Sequence, residues 1–233
     1  MPDTFSAAEL TAIAYVISKP RFETYLRAEN NHARAALALY RWNLELSAAF
    51  FLPLQICEVA IRNAAAEAIE AEHGDRWPWL KGFRYTLPVP KRGFNPRSEL
   101  EHVARTHTTV GQVIAELRFV FWQYTFTAGQ EQRLWVPHLR TVLPNLPQGP
   151  VSSIRQRIHD DIEAVRGLRN RIAHHEPIFT RSISRDYGRI IEMIGWRSAE
   201  AASWVDRTQT VTEILARRPR SMVGSVAIPY PVR

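Results

Sequence analysis

Three polar residues close together in the chain, Arg169, Asn170 and His174, have side chains that suit chemistry on a phosphodiester. An arginine fork can hold a phosphate and stabilise the negative charge that grows in a transition state. A histidine has a pKa near working pH and can take up or deliver a proton. An asparagine can orient either partner without adding charge. RNA supplies its own nucleophile, the 2′-hydroxyl, so these residues predict chemistry that needs neither a metal ion nor a cofactor.

The segment that carries these residues, 151–179, has the pattern of an amphipathic helix. Its apolar residues recur every three or four positions and form one stripe: Ile154, Ile158, Ile162, Val165, Leu168 and Ile172. Asn170 and His174 stack on the face opposite that stripe, whereas Arg169 lies about 140° around the helix from His174. One straight helix therefore does not aim Arg169 and His174 at the same atom. Either the helix unwinds near His174, or two copies of the segment meet across a two-fold interface.

The same residues also have a purely structural interpretation. Arginine and histidine near a helix C-terminus complement the helix dipole, and His174, His175 and Glu176 could form a capping cluster. The net charge of +7, with 30 Lys and Arg against 23 Asp and Glu, fits either a polyanion partner or a solvated basic surface. Composition does not choose between these two alternatives.

A second group of polar residues lies in the middle of the same segment and comprises His159, Asp160, Asp161 and Glu163. Such residue types can bind a metal ion. Adjacent residues on a helix point in different directions, however, so a solvated acidic turn is the favoured interpretation. We expect no metal site in this chain.

Helical signals dominate the rest of the chain, and no alternating run of apolar and polar residues predicts a strand. Helix starts are predicted at four places: a Ser6–Glu9 capping box, Pro20, Asn30 or Asn31, and Ser152 or Ser153. We therefore predict an all-α fold, with a single domain over residues 1–217 and an extended tail over 218–233.

Proline and glycine residues divide the predicted helices. A long apolar helix over 43–72 is expected to kink at Pro53 and to end at Gly74. The helix that carries the candidate site should end at Glu176, because Pro177 disfavours helix at the residue before it. Another helix is predicted from Thr109 to Phe126.

Two connections between helices look irregular, one over 74–97 and one over 137–150. The first interleaves aromatic residues with cations, which is typical of a surface that stacks on single-stranded nucleic acid. Packing of this loop onto the core is an equally good interpretation. The residues concerned are Trp77, Trp79, Phe83 and Tyr85 with Arg76, Lys81 and Arg84.

The composition, 45% hydrophobic and 23% charged, is ordinary for a soluble globular protein. The one cysteine, Cys57, excludes an internal disulfide. The N-terminus has no secretory pattern, and the most apolar stretch, 46–61, is too short and too interrupted by polar residues to span a bilayer. We therefore expect a cytoplasmic protein with no membrane partner.

The run Arg169-Asn170-Arg171-Ile172-Ala173-His174 resembles the R-x4-6-H signature of the HEPN superfamily of nucleotide-binding and RNase domains. The wider string LRNRIAHHEPIF is similar to the corresponding stretch of the Abi-like proteins of bacterial abortive infection systems. The resemblance covers about residues 15–200 and continues in the same order through four other stretches: Ile17–Phe22 with Tyr25-Leu26, Ala38–Asn43, Glu58–Asn63 and Gly74–Trp77.

This resemblance implies a HEPN-like helical bundle, with additional helices and the long Pro/Trp-containing loop. It implies a homodimer whose composite site cuts RNA without metal and leaves a 2′,3′-cyclic phosphate, in phage defence or as a toxin. Arg169 would bind the scissile phosphate, His174 would act as general acid or base, and Asn170 would position either. Further candidates for substrate binding are Arg166, Arg171, His175, Arg62 and Asn63.

Several alternatives stay open at this point. Arg62 is also spaced to form a simple helix ion pair with Glu58. The alternative to the ribonuclease is a non-catalytic RNA-binding, scaffold or sensor protein with the same fold, and a phage trigger or an inhibitory RNA or protein is a further possible partner. Some HEPN toxins carry a tyrosine two residues after the histidine, which a nucleotidyltransferase antitoxin modifies. This chain has Glu176 there, so we expect no such partner.

Overall fold

Residues 5–219 are described by a computed structural model of the chain. Over those residues the chain is helical and contains no strand, which confirms the all-α class. Most of the predicted tail, residues 220–233, lies outside the described part. The chain divides into two compact units. Of the described residues, one unit comprises 5–50, Pro177–Arg181 and 210–219, and the other comprises Phe51–Glu176 and Ser182–Gln209.

The first unit contains the helices α1 (Ala7–Ile17), α2 (Lys19–Ala28), α3 (Ala33–Ala49) and α13 (Val211–Ala216). The predicted capping box is present, because the Glu9 amide donates to Ser6 Oγ at 3.2 Å and the Ser6 amide donates to the Glu9 carboxylate at 2.7 Å. The predicted cap of α3 is wrong. Asn30 and Asn31 both have positive φ and form a turn, and His32 takes the N-cap position. Asparagine tolerates the left-handed conformation, so its presence indicates a turn as readily as a cap.

Aromatic side chains fill the core of the first unit. The ring of Tyr25 meets Tyr40 edge-on at 5.1 Å and packs against Phe179 at 5.2 Å between centroids. Trp42 is buried, and its indole N–H donates to the carbonyl of Ile214 at 2.7 Å. This hydrogen bond ties α13 to α3, although the two residues are far apart in sequence.

A buried asparagine on α3 holds the segment Pro177–Arg181. The Asn43 Oδ1 accepts hydrogen bonds from the backbone amides of Ile178, at 2.8 Å, and Phe179, at 3.2 Å. Those two amides belong to no helix, so the side chain satisfies donors that would otherwise be buried without a partner. Asn43 thereby fixes the chain that follows the candidate residues.

The second unit contains nine helices within the described residues: α4 (Phe51–His73), α5 (Lys81–Arg84), α6 (Pro96–Thr106), α7 (Val110–Glu116), α8 (Phe119–Thr125), α9 (Val136–Val142), α10 (Val151–Ala173), α11 (Ile183–Arg197) and α12 (Ala199–Thr208). Short 3₁₀ turns lie at Trp77–Trp79 and Ala128–Gln130, and a π-helical turn lies at Glu131–Trp135.

Helix α4 forms the centre of the second unit, and α11 packs along it most extensively. The fully buried face of α4 is rich in small residues, which let a neighbouring helix approach closely: Ile61, Ala64, Ala65, Ala68 and Ile69. On α11 the residues Ile190, Met193 and Ile194 are fully buried. Each such buried side chain contributes about 2 kcal/mol through the apolar area removed from water. Arg197 donates to Glu67 at 2.5 Å at one end of the helix pair.

The interruption expected at Pro53 lies slightly earlier in the chain. Helix α3 ends at Ala49 and α4 begins at Phe51, so Pro53 falls in the first turn of α4 rather than at a kink within one helix. A proline ring clashes with the carbonyl four residues before it, and it is tolerated in a first turn, where its missing N–H costs nothing. The predicted end at Gly74 is confirmed, with φ of 81°.

The region 74–97 is more ordered than predicted. It contains the Trp77–Trp79 turn and α5, and the irregular part begins after Arg84. Trp77 and Phe83 are fully buried and meet edge-on at 5.2 Å. The Trp79 indole donates to the carbonyl of Ala104 at 2.8 Å. The packing interpretation is therefore correct for Trp77 and Phe83, which do not offer a surface for stacking on bases.

Two other predicted boundaries are wrong. The helix expected from Thr109 to Phe126 is divided into α7 and α8, because Leu117 and Arg118 have extended backbone between them. The connection expected over 137–150 starts later, since Pro137 lies in the first turn of α9. Proline suits that position, so its presence did not exclude a helix.

One helical stretch, Ala33–His73, is long and apolar enough to cross a membrane by length and composition alone. Its most apolar window has a mean hydropathy of 1.6, and 33% of that window is buried inside the protein. The core helix of a soluble protein passes the same test, and the stretch is interrupted at Phe50. The structure is thus compatible with a soluble protein.

Candidate functional site

Helix α10 positions all three candidate catalytic residues, and its core face is the one that the sequence predicted. Five of the six predicted stripe residues are buried: Ile154, Ile158, Ile162, Val165 and Leu168. Ile172, in the last turn, is half-buried. The predicted serine cap is wrong, because the helix begins directly after Pro150 and no side chain caps it. The burial of the stripe fixes which residues of α10 face outward.

The C-terminus of α10 is closed by three backbone hydrogen bonds. His174 donates to the carbonyl of Asn170 at 2.9 Å, His175 to Ile172 at 3.0 Å, and Glu176 to Arg171 at 2.8 Å. This is the Schellman arrangement, in which the residue after the C-cap adopts the left-handed conformation. That residue is His175, with φ of 55°, where glycine is usually found. The regular helix therefore ends at Ala173, three residues before Glu176, where Pro177 predicted the end.

Arg169, Asn170 and His174 are all exposed to solvent. Within residues 5–219, none of these three side chains has a hydrogen bond or an ion pair. The hydrogen bond from His174 to Asn170 keeps the helical register up to His174, so Asn170 and His174 share a face and Arg169 lies about 140° from His174. Within one chain the helix end does not unwind to bring Arg169 and His174 together.

Arg166 lies on α10 one turn before Asn170 and is tied to neighbouring polar groups. Its Nη1 donates to Gln123 Oε1 and to Glu163 Oε2, the latter at 2.6 Å. The Gln123 amide in turn donates to Glu163 at 2.7 Å and lies 3.4 Å from His159 Nε2. Sequence reasoning missed Gln123, because its role depends on the contact between α8 and α10.

The other candidates for substrate binding occupy different environments. Arg171 is half-buried and forms an ion pair with Glu176 at 3.8 Å, and His175 is exposed. Asn63 is exposed on α4, whereas Arg62 is half-buried with its Nε enclosed and without a hydrogen-bond partner. Among the described residues no hydrogen bond or ion pair joins the side chain of Arg62 or Asn63 to the end of α10, and Arg62 forms no ion pair with Glu58.

The acidic group in the middle of α10 is engaged in ion pairs. Asp161 is 8% exposed and accepts from Arg189 Nε at 2.9 Å, with Arg157 Nε at 3.6 Å from its other oxygen. Burial raises the pKa of Asp161 above its usual value of 3.8, against the opposing effect of Arg189 and Arg157. Within residues 5–219 no three His, Cys, Asp or Glu side chains are placed to hold a metal ion.

The arrangement can bind an anion and transfer a proton at the exposed end of one helix. Asn170 and His174 can contact the same group, and Arg169 offers a guanidinium to a second group on the neighbouring face. The chain matches no protein-family model, no curated protein and no solved structure at a significant level.

Proposed function

We propose that this protein is a metal-independent endoribonuclease of the HEPN type, which acts in the cytoplasm in phage defence or as a toxin. The observation that carries the proposal is that the side chains of Arg169, Asn170 and His174 are exposed and unpaired within the described residues. All three are exposed at the end of α10, and their side chains form no hydrogen bond or ion pair with any described residue. A guanidinium held only for structure would be expected to pair with a carboxylate, as Arg155 does with Glu131 at 2.8 Å.

The proposed reaction uses the 2′-hydroxyl of RNA as the nucleophile. The 2′-hydroxyl loses its proton as its oxygen attacks phosphorus, and the departing 5′-oxygen gains one. His174 serves one of these two transfers, as general base or as general acid, and water serves the other. Arg169 stabilises the charge on the phosphoryl oxygens, and Asn170 holds the histidine or the phosphate. The P–O5′ bond breaks, which leaves a 2′,3′-cyclic phosphate and a 5′-hydroxyl.

A homodimer would complete this site. Because Arg169 and His174 lie about 140° apart on one helix, Arg169 of one copy and His174 of the other would meet across a two-fold axis. The same separation supports the second candidate, a non-catalytic RNA-binding, scaffold or sensor protein. A single chain offers the cations for binding without an assembled catalytic pair.

The test is incubation of labelled total RNA with the purified protein in EDTA, followed by end-group analysis. The wild type should cut, and Arg169→Ala and His174→Ala should each lower the rate by at least about a hundredfold, the usual size of an acid–base or charge-stabilising contribution. Cyclic phosphate ends would identify 2′-hydroxyl attack.

A matched control removes the same side-chain types elsewhere. Arg105→Ala and His102→Ala alter exposed residues on α6 and should leave the rate unchanged. Equal loss in both pairs of variants would mean that surface charge alone matters. Salt-sensitive RNA binding without any product would favour the binding protein over the ribonuclease.

A further inference from the structure

A continuous polar strip runs along the outward face of α10 and extends the candidate site. Counted at about 100° per residue, its members fall within roughly 80° of one another around the helix. The strip comprises His159, Glu163, Arg166, Asn170 and His174. Arg166 is therefore the cation that lies closest in angle to Asn170 on this face, nearer than Arg169.

One buried residue from another helix organises the strip. Gln123 on α8 is 5% exposed and uses both ends of its amide: Oε1 accepts from Arg166, and Nε2 donates to Glu163. The same Nε2 lies 3.4 Å from His159 Nε2, and His159 Nδ1 lies 3.1 Å from Asp160. A buried amide with several partners holds its own orientation, and so it fixes the group that it contacts.

The anchoring of Arg166 leaves part of its fork available. Both hydrogen bonds, to Gln123 and to Glu163, use Nη1. Within the described residues Nε and Nη2 have no partner, and these two nitrogens form the side of a guanidinium that binds two phosphate oxygens in parallel. The side chain of Arg166 is 22% exposed, so this edge is open to solvent while its stem is confined.

We propose that Arg166 is a phosphate-binding residue of the RNA site and that Gln123 is its positioning residue. This inference rests on the proposed function. Arg166 binds the phosphate that neighbours the scissile phosphate in the RNA strand. Glu163 contributes less to the positioning, because its side chain is 62% exposed and exposed ion pairs are weak. Gln123 holds Arg166 from the buried side without adding negative charge near the RNA.

The test is a double-mutant cycle on binding of a fluorescein-labelled oligouridylate, in protein that also carries His174→Ala so that the probe stays intact. Arg166→Met should weaken binding about tenfold, the loss of one charge-assisted contact. It should also lower the slope of log K against log salt by about 0.7. Gln123→Leu should weaken binding about fivefold, because the arginine regains rotamer freedom. It should leave the slope unchanged, because the charge remains.

The decisive measurement is Gln123→Leu in the Arg166→Met background, where it should cost less than about twofold, because its effect runs through Arg166. An equal loss in both backgrounds would mean that Gln123 only supports the fold, and it would overturn the inference. Arg105→Met on α6 removes the same charge from another exposed position and should change binding much less than Arg166→Met.

The outcomes also separate this inference from the ribonuclease proposal. Arg166-dependent binding without any cleavage by the wild type would support the phosphate site and refute the enzyme. Cleavage that is unaffected by Arg166→Met would refute the phosphate site and leave the enzyme standing. A wild type that neither binds nor cuts RNA would refute both.

Discussion

Replacing Asn43 by alanine should destabilise the protein more than any surface change near the candidate site. Asn43 is 3% exposed, and its Oδ1 is the acceptor for the amides of Ile178 and Phe179. Ile178 has no exposed surface, and Phe179 is 7% exposed. Alanine removes the acceptor that both of these buried N–H groups use in the wild type.

The expected magnitude follows from the cost of those two donors. Each buried donor left unpaired costs about 1–3 kcal/mol, so two cost about 2–6 kcal/mol. A water molecule that enters the space vacated by the amide would recover part of this. We therefore expect a loss of about 3 kcal/mol in the free energy of unfolding. A domain whose total free energy of unfolding is about 5–15 kcal/mol stays folded after such a loss.

The assay is urea unfolding followed by circular dichroism, together with hydrogen exchange of the two amides in the native protein. In Asn43→Ala, the amides of Ile178 and Phe179 should exchange much faster than in the wild type. Asn63→Ala, the same substitution at an exposed position of α4, should change stability by less than about 0.5 kcal/mol. A loss below about 1 kcal/mol, or unchanged exchange at both amides, would refute the reasoning.

Two further predictions concern α10. His175→Gly should raise the free energy of unfolding, measured in urea, by about 1 kcal/mol, because glycine relieves the backbone strain of the left-handed conformation at φ of 55°. An unchanged or lower stability would contradict the assigned strain. Slower RNA cutting by the stabilised variant would show that His175 contacts RNA. Burial raises the pKa of Asp161, so its contribution to stability is fully present below pH 3.8 and is lost as pH rises through the raised pKa. The asparagine in Asp161→Asn has no carboxyl proton to lose, so the stability of this variant relative to the wild type should increase from acid to neutral pH. A difference in melting temperature between the two proteins that stays constant across that range would refute this.

The local sequence determined a large part of the helical fold. Capping at Ser6, the stop at Gly74 and the apolar stripe of α10 were all predicted, because each depends on residues within a few positions of one another. The stripe also predicted that Asn170 and His174 face outward together, as helical periodicity requires. Where local signals have two meanings, prediction failed: Asn30 forms a turn rather than a cap, and Pro137 opens a helix rather than a loop.

Only the tertiary structure decided which residues distant in sequence contact one another. Asn43 satisfies the backbone after α10, and Gln123 anchors Arg166 on the polar strip, although neither residue stands out in the sequence. Trp77 could have faced solvent or the core, and the packing of its neighbours decided for the core. Periodicity fixes the face of a helix on which a side chain lies. Its partner depends on which other helix packs there, and therefore on the burial of the whole chain.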